Sequence, residues 1–180
     1  LAQGIVSVST TAGITVGAVP VPLADAFILS SIEVAEINAL ARVYGINKNE
    51  ESKHFFNSIV EAGTVSAAAR GAISALKGIP GVNLAAGLVN AVIAGSFVAA
   101  IGEGTIYAFE QVYLGKKTVK DIDWVTTAVE SRLSTEFIDK VASAVRQITE
   151  NTDKNAIGKV ILDLFGEKEK QPGCNGKGRR

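Results

Sequence analysis

The chain has 180 residues, enough for one compact domain with a sizeable core. It is 47% hydrophobic but only 6% aromatic, an Ala/Val/Ile/Leu mixture that suits closely packed helices. Lys plus Arg equals Asp plus Glu at 18 each, which excludes a large electrostatic footprint for nucleic acid, and the single cysteine, Cys174, excludes an internal disulfide framework or a multi-cysteine metal site. A reducing, cytoplasm-facing location is the expectation.

The first segment runs from Ala2 to Gly17 and lacks the basic start of a secretory signal. The start at Leu1, with no methionine anywhere, is expected of a fragment or a processed chain. Pro20 and Pro22 cannot sit inside a regular helix and predict a turn. A helix follows from Leu23 to Tyr44, closed by Gly45 at the C′ position. On its wheel Phe27, Val34 and Ala41 lie opposite Asp25 and Glu36, with Ile28 and Ile37 on the flanks; this predicts a mostly buried helix with a narrow acidic stripe left outside. Asn47 and Glu50 then have the spacing of a capping box that opens a helix through "ESKHFFNSIVEAG".

From Gly63 the small residues recur every fourth position: Gly63, Ala67, Gly71 and Ala75. Pro80 and Gly81 break the segment, and Gly87, Ala91, Gly95 and Ala99 repeat the device in a helix from Val82 to Leu114. Two ridges almost without side chains, joined by a Pro-Gly turn, predict an antiparallel hairpin with closely approaching backbones. Beyond "LGKK", Thr118 with Asp121 is read as the next helix start. Trp124, Val125, Ala128 and Val129 mark one helix face, Phe137, Val141, Val145 and Ile148 the next, and Ile157, Val160, Ile161 and Leu164 the last. The expected fold is all-α, a bundle of seven or eight helices around a Gly/Ala-rich hairpin, with residues 1–166 one domain and 167–180 a disordered tail.

No catalytic constellation emerges. "NKNE" resembles a guanine-reading motif, but no phosphate loop exists in the chain, so it is read as a helix cap. Glu51 and His54 have di-iron spacing, yet His54 is the sole histidine, and Ser-His-Asp and Cys-His catalysis also lack their parts. The chain is read as a non-enzyme without metal or cofactor. In the long apolar helix, Asn90 and Ser96 read as residues bonded to neighbouring helices, with Glu103 near a bundle end. The functional alternative is a polar seam, with Glu103 between Gly102 and Gly104, that responds to a partner or lines a cavity.

Gly78 to Gly102 carries no charge. Its strongly apolar residues favour membrane insertion by roughly 3 to 6 kcal/mol in total. Its Gly, Pro, Asn and Ser residues oppose it, Lys77 and Glu103 bracket it without a basic cluster, and no Trp or Tyr girdle marks both ends. It is read as a buried hairpin able to associate with membranes.

Pro20, Pro22, Asp25, Tyr44, Gly45, Pro80, Gly81, Asn90, Gly102 and Glu103 together compose a motif. It is a Pro-x-Pro turn, an Asp before a long helix, a Tyr-Gly exit, an "IPG" turn, a central Asn and a Gly-Glu pair. Over Gly17 to Lys116 this resembles the domain of unknown function 697 family, a GTPase-associated C-terminal helical domain. The resemblance implies a non-catalytic accessory domain on the cytoplasmic side, coupling a GTPase domain, in cis or in trans, to membrane association or assembly. GTP would enter only through a separate or upstream domain. The alternatives are a stand-alone membrane protein that inserts its hairpin in lipid, and a structural subunit of a homo-oligomer or larger assembly.

Overall fold

A computed structural model describes residues 1–18, 25–64, 86–148 and 151–165. Their order is α1 (Ala2–Gly17), α2 (Asp25–Tyr44), α3 (Lys53–Thr64), α4 (Ala86–Tyr113), α5 (Ile122–Glu130), a 3₁₀ turn (Ser131–Leu133), α6 (Thr135–Gln147) and α7 (Lys154–Phe165). No strand occurs among the described residues, and the fold is an all-α bundle. Pro20, Pro22, Pro80 and Gly81 lie outside the described residues, as do Ala67, Gly71 and Ala75, and with them the expected Pro-Gly hairpin turn.

α4 is the spine. Its 28 residues reach about 42 Å, and α1, α2, α5, α6 and α7 all pack on it, α1 most extensively. The small-residue ridge of α4 is the seat of α1. A Cβ built on Gly17 would fall 2.6 Å from the Asn90 carbonyl oxygen and 3.0 Å from the Ala91 Cα, and one on Gly13 would fall 3.3 Å from the Ala94 carbonyl oxygen. Gly95 in turn makes room for Ile14 and Ile161, and Gly87 faces the Ala18 carbonyl. Ala91 and Ala99 are buried. Gly63, from the other ridge, receives the side chain of Ile101 instead of meeting the Gly87–Ala99 row. The glycines of α1 therefore supply a close-packed partner for α4 that the four-residue rhythm of the later segments did not reveal.

Two aromatic groups pack on the spine, one near its C-terminal end and one near its middle. Phe109 meets Phe55, Phe56 and Tyr44 with ring centroids 5.9 to 6.1 Å apart. Phe97 meets Phe137 at 5.0 Å, and Phe137 meets Phe165 at 5.6 Å. α2 ends as expected: Gly45 has φ +67°, Ile46 N–H donates to the Ala41 carbonyl and Gly45 N–H to that of Arg42, the pairing of a Schellman motif. Gly115, also at φ +67°, closes α4 in the same way through Gln111 and Val112.

Two helix starts differ from expectation. Before α3, Asn49 and Ser52 hydrogen-bond reciprocally, Ser52 Oγ donates to the Asn47 carbonyl at 2.7 Å, and Glu50 stays on the surface opposite Lys53. The Ser52 hydroxyl is buried and wins the local donors, so the helix begins later than an Asn47–Glu50 box would place it. Thr118 and Asp121 do pair, through Thr118 N–H and the Asp121 carboxylate at 2.9 Å, but they shape a turn, and α5 starts at Ile122.

Candidate functional site

The wheel of α2 is turned relative to the sequence reading. Val34 is 37% exposed, whereas Glu33, Glu36, Ile37, Leu40 and Ala41 are all buried. Their spacing of three and four draws the true inner stripe, and two carboxyls belong to it. Glu36 is thus no part of an outward acidic stripe. The Asp25 side chain lies outside what the structure describes.

Glu36 points into the junction of α1, α2 and α4. A Cβ on Gly102 would fall 2.6 Å from its Oε1 and 2.8 Å from the Val6 Cγ2, so the glycine of the Gly102–Glu103 pair is what admits the carboxyl. Both Glu36 oxygens lack a hydrogen-bond partner among the described residues, as do Glu33 Oε2 and the buried hydroxyls of Thr10, Ser96 and Thr105. Burial without a partner disfavours the charged form. It pushes the Glu33 carboxyl up to about 7. Glu36 goes to about 9, first by burial and then by the nearby charges of Glu33 and Glu103.

Glu103 connects this interior to the surface. Burial raises its carboxyl, while a hydrogen bond from the Gln3 side chain and the charges of Arg132 and Lys140 oppose the rise. It lines a cleft of about 290 Å³ together with Tyr107, Ser134, Glu136, Lys140 and Arg132. In the cleft Lys140 binds Glu136 at 3.1 Å, Arg132 stands 5.4 Å above the Tyr107 ring, and Lys140 lies 5.7 Å above that of Phe165.

Among the remaining motif residues, Tyr44 donates its hydroxyl to Glu110 at 3.2 Å and packs edge-on against Phe109. Asn90 is exposed and meets α1 through its carbonyl at Gly17, not through its amide. Ser96, expected to bond across helices, is buried without a partner among the described residues. His54 is exposed, and Glu51 is engaged by Lys120 at 2.9 Å. Sequence reasoning missed Glu33, Arg132 and Lys140. The signal for Glu33 was available, since Glu33, Glu36, Leu40 and Tyr44 recur at helical spacing; Arg132 and Lys140 join the cleft only through the fold.

A family model described as a domain of unknown function (DUF697) matches residues 2–134. No curated protein and no solved structure matches the chain.

Proposed function

The chain belongs to the domain of unknown function 697 family, and from that premise we propose that it is a non-catalytic helical module that couples a GTPase-type protein to membrane association or assembly. The observation that carries the reading is α4. From Gly87 to Tyr113 it is long and apolar enough to cross a bilayer, yet 83% of its most apolar stretch is buried inside the bundle. That sheathing supports a core role for α4, and the membrane contact proposed is peripheral, made from the outside of the bundle. The GTPase link follows from the family resemblance, with nucleotide chemistry assigned to a partner domain in cis or in trans.

Fractionation tests this. Release of the protein from membranes by high salt or carbonate is the expected outcome. Retention until detergent is added would favour the second reading, insertion of α4 with its preceding segment, which the length and apolarity of α4 support. GTP hydrolysis by these 180 residues alone would overturn the non-catalytic assignment. A single monomeric species in sedimentation would count against an assembly role.

A further inference from the structure

Aromatic, aliphatic and basic side chains gather on one face at the C-terminal end of α4. Tyr107 is 39% exposed and Leu114, seven residues on and hence above the same helix face, is 58% exposed. Trp124 of α5 lies against Tyr107 with ring centroids 6.1 Å apart. Lys117 Nζ stands 5.4 Å over the Trp124 ring, and the Arg132 guanidinium 5.4 Å over that of Tyr107. Behind Arg132 the surface dips into the 290 Å³ cleft.

Several charges nearby are already engaged. Lys140 binds Glu136, Lys120 binds Glu51, and the Asp121 carboxylate accepts the Thr118 N–H. Asp123 occupies the first turn of α5, where the helix dipole favours it. Lys117 and Arg132 are cations held on aromatic faces beside exposed hydrocarbon, Arg132 also within the field of Glu103 in the cleft behind it. That combination matches the bilayer interface, where aromatic rings sit at the headgroup level and cations meet phosphates. It sits at the C-terminal end of the core helix α4, and the zero net charge of the chain disfavours nucleic acid as the occupant.

We propose that this face is a docking surface for a bilayer containing anionic phospholipid: Lys117 and Arg132 meet headgroup phosphates, and Tyr107, Leu114 and Trp124 enter the interfacial layer. The assignment rests on the membrane-association reading and adds to it a face and a lipid class.

Trp124 is the single tryptophan of the chain, so its emission reports on this face directly. The full chain is mixed at low ionic strength with vesicles of phosphatidylcholine alone or of phosphatidylcholine with phosphatidylglycerol, and both sedimentation and fluorescence are read. The expected result is co-sedimentation with the anionic vesicles, a shift of Trp124 emission to shorter wavelength, and protection from acrylamide quenching. Lys117→Gln and Arg132→Gln should each weaken partitioning about fivefold, the weight of one surface cation near an anionic leaflet, with helical circular dichroism unchanged. Co-sedimentation with unchanged Trp124 emission would overturn this face while leaving peripheral association standing. Equal binding to both vesicle types would overturn the anionic preference, and no binding to either would overturn the face and the reading beneath it. Should a Gln variant fail to fold, the emission of the unsubstituted chain decides alone.

Discussion

Glu33 and Glu36 are carboxyls that folding removes from water, and among the described residues neither Glu36 oxygen nor Glu33 Oε2 has a hydrogen-bond partner. Each is therefore held towards its neutral form, and the stability they permit depends on pH with a definite sign. Below the unfolded value near 4.5 both states carry the proton and no penalty exists. As pH rises, the unfolded chain releases its protons while the folded chain keeps them. Stability then falls by about 1.4 kcal/mol per pH unit for each such group. The window extends to about 7 for Glu33 and about 9 for Glu36. Thermal unfolding should thus be highest near pH 5 and decline towards pH 9. Glu36→Gln, which imitates the protonated group, should leave Tm at pH 5 within a few degrees and raise it by roughly 5 °C or more at pH 9. An unchanged pH profile in that variant would show that Glu36 is solvated after all. Why the sequence put Glu36 outside is plain at this scale: a helical wheel assigns carboxylates to water, and only the gap left by Gly102 across the α1–α2–α4 junction makes an interior place for one.

Among the elements, periodicity identified which residues share a face but not which helix that face meets. Gly87, Ala91, Gly95 and Ala99 were legible as a ridge, and the terminations at Gly45 and at "LGKK" were legible as well, because positive φ and the Schellman pairing are local properties. That α1 sits on the ridge was not legible, since its Gly13 and Gly17 are unremarkable until their distances to α4 are known. The helix starts at α3 and α5 were misread because several Asn, Ser and Asp residues compete for the same few amides, and burial of Ser52 decides one of those contests. Close packing of α1 makes a paired prediction. At Gly17 a methyl group meets backbone atoms of α4 that cannot rotate away, so Gly17→Ala should cost about 1 to 3 kcal/mol. At Gly4 nothing lies within 4 Å, and Gly4→Ala should instead stabilise by up to about 1 kcal/mol through helix propensity. Chemical denaturation of both variants measures the two signs; a gain in stability at Gly17 would mean that α1 is not seated on the ridge.

Across the whole molecule, the family match stops at residue 134, but the core does not. Phe137, Val141, Val145, Ile148, Ile157 and Ile161 are all buried, Phe137 against Phe97 and Ile161 against Gly95 of the spine. Each such side chain returned to water forfeits about 1.5 to 3 kcal/mol, so six of them rival the entire stability of roughly 5 to 15 kcal/mol of an ordinary domain. α6 and α7 are therefore read as part of one folding unit with the matched region, and the cleft of Glu103 and Arg132 needs them because Glu136, Lys140 and Phe165 form its far wall. A chain ending at Ser134 should lose the sharp thermal transition of the full chain, bind a hydrophobic dye through the uncovered flank of α4, and fail to retain Trp124 in its place between Tyr107 and Lys117. The full chain should unfold in a single transition followed equally by circular dichroism and by Trp124 emission. If the shorter chain instead unfolded cooperatively at a similar temperature, residues 135–165 would be an appendage to a self-sufficient domain, and the cleft would be a site between two units instead of one built into the bundle.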